Sequence, residues 1–158
     1  MTPVKVFNLV IDQESEQYIV VLEEEDGPRL LLIWIGAYEA RAIALGLQGL
    51  KFERPLTHDL LISILKNFGI KVLDVVISDL KENTYYAYIN MIQGNYRVKI
   101  DSRPSDAIAL AVNLGVPIYV GDEVWKRGSV ILKPITDEEE EEFRKKLENI
   151  RPEDFMDL

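Results

Sequence analysis

The sequence predicts an α+β domain built from two β-β-β-α units, with a mostly antiparallel sheet and helices packed against it. Ala42-Ile43-Ala44-Leu45 recurs 65 residues later as Ala107-Ile108-Ala109-Leu110, and the same offset relates Val10-Ile11 to Val75-Val76. In each half, segments rich in β-branched and aromatic residues precede an alanine-rich segment. Because the turn positions recur as well, we interpret the pattern as an internal duplication.

The first unit begins with three strand segments, which are predicted at Val4 to Ile11, Tyr18 to Glu24 and Leu30 to Ile35. The third segment is almost wholly apolar, so we expect neither of its faces to meet water. Ala37 to Leu47 then favours a helix, because alanine is a strong helix former and the apolar residues recur at helical spacing.

A further helix separates the two units. Arg54-Pro55 interrupts the chain, and Thr57 is a suitable N-cap for a helix over His58 to Phe68. Gly69 is typical of a helix end.

The second unit repeats the order of the first. Its strand segments are predicted at Lys71 to Asp79, Thr84 to Ile92 and Tyr96 to Ile100, and its helix at Ser105 to Leu114. Short strands at Ile118 to Val120 and Val130 to Lys133, and a charged helix from about Asp137 to Ile150, complete the chain. We place the domain at residues 1–135, with repeats at about 4–50 and 70–115, followed by an acidic helix and tail at 136–158.

The negative charge is concentrated near the C-terminus. Residues 137–158 hold ten acidic and four basic residues, so residues 1–136 carry only −3 of the chain's net charge of −9. The six consecutive acids from Asp137 to Glu142 are typical of a solvated helix start, and we assign them no metal. Without a basic stripe, nucleic acid is expected only as a weakly held substrate.

Residue usage excludes several kinds of chemistry. The chain has no cysteine, which excludes disulfides, thiolate-zinc sites, thiol nucleophiles and iron–sulfur clusters. His58 is the only histidine, so a pair of imidazoles cannot form within one chain. The longest apolar stretch, Leu30 to Ala37, is too short to span a bilayer, and the N-terminus carries no export signal. We therefore expect a cytoplasmic protein without a membrane partner.

The first candidate site surrounds the start of the second helix. A helix start presents free amide donors and partial positive charge, so it suits anions and acidic side chains. His58 is a candidate general acid or base, Asp59 a candidate catalytic residue and metal ligand, and Arg54 a candidate phosphate contact. The alternative is ordinary helix capping, with Asp59 answering the helix dipole.

The second candidate site lies at the corresponding place in the second unit. Asp101 and Asp106 flank Arg103 around the start of the third predicted helix, and Ser105 falls in its first turn. Two carboxylates and substrate oxygens are enough for a hard divalent cation such as Mg²⁺ or Mn²⁺. Capping and a surface ion pair remain the alternative.

Tyrosines crowd the predicted hairpin of the second unit, at Tyr85, Tyr86, Tyr88 and Tyr96. Bases can stack on such rings, but packing or a subunit contact explains them more simply. Together with the apolar strand faces, they lead us to expect a homo-oligomer.

At its two motifs the chain resembles the bifunctional nuclease (BFN) domain family, in the form of a stand-alone bacterial member. The resemblance rests on Leu32-Ile-Trp-Ile-Gly36, Arg54-Pro-Leu-Thr-His-Asp-Leu60 and Ile100-Asp-Ser-Arg-Pro-Ser-Asp-Ala-Ile-Ala-Leu110, and it extends over about residues 4–133. It implies hydrolysis of phosphodiester bonds in DNA, RNA or both.

The site residues are our own assignment on these motif positions. Asp59, Asp101 and Asp106 are predicted to hold the cation that activates water, and Arg54, Arg103 and Ser105 to contact the phosphate. His58 is the predicted acid or base, and Glu39 is a secondary candidate. The competing interpretation is a non-catalytic oligomeric module that binds a small anion or a protein partner.

Overall fold

The computed structural model describes residues 1–12 and 14–133, together with Glu138 and Glu141. The predicted helix at Asp137 to Ile150 and the tail after it lie outside the described residues, apart from those two glutamates. In the described part of the chain, no helix has the length and apolar character needed to span a membrane.

The element order confirms the duplicated β-β-β-α pattern. The first unit contains β1 (Thr2–Asp12), β2 (Gln17–Glu24), β3 (Arg29–Ile35) and α1 (Ala37–Gln48), and α2 (Thr57–Asn67) follows it. The second unit contains β4 (Lys71–Lys81), β5 (Thr84–Gln93), β6 (Tyr96–Ser102) and α3 (Pro104–Leu114). The chain continues through β7 (Ile118–Val120), α4 (Asp122–Arg127) and β8 (Ser129–Leu132).

All eight described strands form one sheet, in the order β6-β5-β4-β7-β1-β2-β3-β8. The neighbouring pairs are antiparallel except for β4 and β7, which run parallel. The short strand β7 therefore joins the three-stranded sheets of the two units into one. This is the predicted α+β architecture, with the described helices packed against the sheet.

The main core lies between the sheet and the helices. Its buried residues come from alternate positions of the strands, such as Val20 and Leu22, and from all four described helices. The repeated motif supplies its centre, because Ile43 of α1 and Ile108 of α3 are both fully buried. Alternation along each strand places one set of side chains on this face and the next set on the other.

Small residues let the two equivalent helices α1 and α3 pack closely. A Cβ atom added to Gly46 would lie 2.6 Å from Nδ2 of Asn113, so a larger residue there would displace the asparagine. The same Nδ2 donates to the carbonyl oxygens of Ala109, at 2.7 Å, and of Ala42, at 3.2 Å. Asn113 therefore ties α3 to α1 through a backbone group.

The helix α2 begins one residue earlier than predicted, and the structure contains one helix that was not predicted. The N-cap of α2 is Leu56 instead of Thr57, because Asp59 in the first turn accepts a hydrogen bond from the Leu56 amide at 2.9 Å. The second difference is α4, which the sequence analysis did not predict. At six residues, α4 is too short to show a helical period.

Candidate functional site

A cleft of about 830 Å³ lies between α1, α2, α3 and the strands β5 and β6. The starts of α2 and α3 both line it, so the two motifs share one cavity. Its polar lining residues are Tyr38, Glu39, Arg41, Thr57, His58, Asp101, Ser102, Arg103 and Asp106. Apolar residues such as Leu61 and Ile100 form the rest of the wall.

Arg103 is held between two carboxylates in this cleft. Its Nε and Nη2 donate to Asp106 at 2.9 and 3.2 Å, and its Nη1 lies 2.9 Å from Oε1 of Glu39. Hydrogen bonding to Asp106 and the charge of that carboxylate, followed by the contacts with Glu39, raise the pKa of Arg103. A guanidinium carries five N–H donors, and these contacts use three of them. Two donors are left for another anion.

His58 lines the same cleft from the first turn of α2, with 12% of its side chain exposed. Its Nε2 lies 3.4 Å from Oδ1 of Asp59. The Asp59 carboxylate is outside the residues that line the cleft and instead borders a smaller cavity beside Lys66. Asp59 therefore caps α2, which agrees with the capping alternative, and it contacts His58 from outside the cleft.

Asp101 lies at the rim of the cleft but its side chain faces elsewhere. The predicted strand ended at Ile100, whereas β6 continues to Ser102, so Asp101 is part of the strand. It pairs with Tyr88, and Ile100 pairs with the core residue Ile89. Because side chains alternate along a strand, the Asp101 carboxylate lies on the face away from the helices.

Two predicted phosphate contacts lie away from the cleft lining. Ser105 is the second residue of α3 and is buried, with 7% of its surface exposed. Arg54 is exposed in the loop before α2. Of the predicted site residues, the cleft therefore brings together His58, Arg103, Asp106 and Glu39.

The predicted metal ligands are not assembled within one chain. Asp59 borders the smaller cavity, and the Asp101 side chain lies on the sheet face away from the helices. The Asp106 carboxylate forms an ion pair with Arg103. Among the described residues, no group of three or more histidine, aspartate or glutamate side chains is placed to hold a metal ion. The cleft therefore does not bring the three predicted ligands together, and we derive no step through a cation.

Glu39, predicted only as a secondary candidate, is an ion-pair partner of Arg103, and Arg41 is a cleft residue that the motifs do not indicate. Arg41 lines the cleft, and its guanidinium carbon lies 5.0 Å from the centre of the Phe52 ring. The repeat offset could have identified Arg41, because Arg41 and Asp106 occupy equivalent positions in the two units. Both residues line the cleft.

Comparison with known proteins gives the chain a family. A model of the bifunctional nuclease domain matches residues 20–133. The chain belongs to the bifunctional nuclease domain family. This confirms the resemblance drawn from the motifs.

Among the relatives of this BFN protein is an uncharacterized protein of Mycobacterium tuberculosis strain H37Rv, which is 37% identical over 164 aligned positions and 98% of each chain. Bifunctional nuclease 1 of Oryza sativa subsp. japonica and bifunctional nuclease of Oryza minuta are each 28% identical over 136 positions. Those positions cover 82% of this chain and 41% of each rice protein.

The structure explains the part of the longest BFN motif that starts at Arg103. Pro104 occupies the first turn of α3, and Ser105 and Ala107 are buried with it. Arg103 and Asp106 are the charged residues of this segment, and both line the cleft. The motif therefore combines a packing role with one exposed ion pair.

Proposed function

We propose that this protein is a nuclease that hydrolyses phosphodiester bonds of DNA or RNA in the cleft between α1, α2 and α3. Family membership and the names of the rice relatives support a nuclease. The observation that carries the assignment to this cleft is the presence of one imidazole and one partly unsatisfied guanidinium on the same walls.

In this proposal Arg103 binds the phosphate. Its two remaining N–H donors contact phosphate oxygens, and its charge stabilises the negative charge that builds up on them during the reaction. Glu39 and Asp106 are positioning residues, because they fix the plane of the guanidinium. They also balance the positive charge of Arg103, in keeping with weakly held nucleic acid.

In the same step, His58 acts first as a general base and then as a general acid. As water attacks the phosphorus atom, the imidazole accepts the water proton, and the bond from phosphorus to the leaving sugar oxygen breaks. The imidazolium then returns the proton to that oxygen or to solvent. Asp59 stabilises the positive charge of the imidazolium from 3.4 Å.

The test is cleavage of labelled single-stranded and duplex DNA and RNA by the purified protein, with EDTA, Mg²⁺ or Mn²⁺. We expect cleavage that persists in EDTA, because the proposed step uses His58 and Arg103 and no cation. Activity that disappears in EDTA and returns with Mg²⁺ or Mn²⁺ would overturn the mechanism. The absence of cleavage under every condition would overturn the proposed function.

The second candidate function is a non-catalytic oligomeric module, and the exposed face of α2 favours it. Leu60, Ile64 and Phe68 are 53%, 46% and 68% exposed and follow one another at a spacing of four residues. Such a ridge can pack against its own copy around a two-fold axis. An antiparallel contact would also bring Asp59, in the first turn, near Lys66 in the last turn of the other copy.

We propose a second copy of this chain as the occupant of that face. The ridge is continuous with the cleft through the neighbouring residue Leu61, which is 40% exposed and lines the cleft wall. Both candidate functions are compatible with such a dimer. Only the nuclease predicts cleavage that depends on His58 and Arg103.

A further inference from the structure

A second apolar cluster lies on the face of β1, β2 and β3 that points away from the helices. We call it the rear cluster. Ile19, Val21 and Leu30 form its buried centre, with exposures of 6%, 1% and 0%, and Phe7, Val10 and Leu32 pack against them. All four described helices contribute instead to the main core on the other face.

Burial this complete requires a covering layer. An antiparallel sheet tolerates water on one face, and its residues there are then polar and exposed. The rear cluster is apolar and buried, so another element must exclude water from it. No helix among residues 1–12 and 14–133 lies on that side.

The end of the described chain arrives at this face. After β8, the Lys133 amide donates to the carbonyl oxygen of Pro28 at 2.8 Å. The Lys133 ammonium forms an ion pair with Glu23 and lies 5.8 Å from the centre of the Phe7 ring. Glu23 also pairs with Lys5, at 3.2 Å. The continuous described chain therefore ends beside the rear cluster.

The remaining sequence has a matching apolar stripe. Phe143, Leu147 and Ile150 recur at spacings of four and three residues, which places them on one side of a helix. The two described residues of this region, Glu138 and Glu141, are helical and exposed. On one helix they fall on the side opposite the stripe. A helix over the predicted 14 residues would be about 21 Å long, enough to cross three strands.

We propose that the C-terminal segment 134–158 docks on the rear cluster as an amphipathic helix, through Phe143, Leu147 and Ile150. Lys5 and Lys133 beside the cluster complement its acidic first turn. Docking there holds most of the chain's negative charge on the face opposite the cleft. A polyanion can then approach Arg103 without passing the acidic segment. The docking itself does not depend on the nuclease proposal.

The absence of cysteine allows a direct test with single engineered thiols. Val21→Cys places a probe in the rear cluster, and Ala44→Cys places one in the main core, where residue 44 is 1% exposed. The labelling rate of each thiol with DTNB is measured in the full chain. The stripe variant carries Phe143→Asp and Leu147→Asp, which place two aspartates within the apolar stripe. The control variant carries Lys145→Asp and Asn149→Asp, which place two aspartates at the same spacing on the opposite side of the proposed helix.

In the stripe variant we expect DTNB to label the thiol of Val21→Cys at least tenfold faster. In the control variant that labelling rate should not change. The thiol of Ala44→Cys should label slowly in both variants. An unchanged Val21→Cys rate in the stripe variant would overturn the proposal. Labelling that accelerates on dilution of the protein would also overturn it, because a second copy would then cover the face. If the aspartates unfold the chain, which fast labelling of Ala44→Cys would reveal, Phe143→Ala with Leu147→Ala gives the same comparison.

Discussion

Nη1 of Arg103 lies 2.9 Å from Oε1 of Glu39 and so joins the start of α3 to the first turn of α1. These helices are equivalent in the two repeated units, which places the ion pair at the junction between the units. The cleft beside it is therefore lined by the equivalent helices of both units, together with α2. Only the second unit supplies the arginine, since the chain has other residue types at the equivalent point of the first unit.

Replacing Glu39 is expected to strengthen binding of nucleic acid. Glu39→Gln removes a negative charge next to the proposed phosphate position. Because this charge lies within hydrogen-bonding range of Arg103, its removal should raise the affinity for an oligonucleotide by about threefold. Fluorescence anisotropy with a labelled oligonucleotide measures the effect. Glu53→Gln, an exposed carboxylate outside the cleft lining, is the matched control. Weaker or unchanged binding by Glu39→Gln would contradict the placement of the phosphate.

Binding of nucleic acid should depend only weakly on salt. One or two phosphate contacts release few counterions, so the logarithm of the binding constant should fall against the logarithm of salt concentration with a slope of about −1. Titrations between low and physiological salt measure this slope. A slope steeper than about −3 would indicate a long basic surface and would contradict a cleft centred on Arg103.

Glu24 and Arg29 form an ion pair whose contribution should depend on pH. Oε1 and Oε2 of Glu24 accept from Nη2 and Nε of Arg29 at 2.7 and 2.9 Å, and the Arg29 guanidinium lies 4.2 Å above the Trp125 ring. The hydrogen bond from Arg29 lowers the pKa of Glu24. Glu24→Gln is therefore expected to reduce the free energy of unfolding by about 1–2 kcal/mol at neutral pH.

The sign of the pH dependence follows from that lowered pKa. The pair stabilises the fold fully above the unfolded-state pKa of glutamate, about 4.3, and this contribution is lost as the pH falls through the lower folded-state pKa. Urea unfolding of the wild type and Glu24→Gln should thus converge in acid. Glu25→Gln, at the exposed neighbour, serves as control. A difference for Glu24→Gln that stays constant down to acidic pH would refute this account.

The exposed ridge of α2 predicts a dimer that charge can disrupt. Ile64→Lys with Phe68→Lys should halve the molecular mass measured by light scattering at micromolar concentration, because two lysines would enter an apolar contact. Ser63→Lys with Asn67→Lys places the same charges one residue earlier on the helix, on exposed polar positions. A monomeric wild type, or an equal effect of both pairs, would rule out this contact.

The sequence predicted the fold better than the site. The spacing of apolar residues along strands and helices identified both units, because that spacing depends on which side chains are buried locally. The repeated Ala-Ile-Ala-Leu segments identified them as well. The cleft was also predictable, since both motifs stand at helix starts. The pairing of Arg103 with Glu39 joins residues 64 positions apart, and no local pattern reports such a contact.

The misplacement of Asp101 has a more specific cause. The predicted strand ended one residue before it, which left its side chain free to turn toward the helix start. Because β6 continues to Ser102, alternation sends the carboxylate to the other face. An error of two residues at one strand end thus accounts for the predicted orientation of Asp101.

The most direct test of the central claim compares cleavage by four proteins under one set of conditions: wild type, His58→Gln, Arg103→Ala and Arg97→Ala. Arg97 is exposed on β6 and, by alternation, faces away from the cleft. We predict that His58→Gln and Arg103→Ala each lower kcat/KM at least a hundredfold with unchanged thermal unfolding, while Arg97→Ala keeps wild-type activity. Cleavage by His58→Gln and Arg103→Ala at the wild-type rate would contradict the assignment of this cleft as the reaction site.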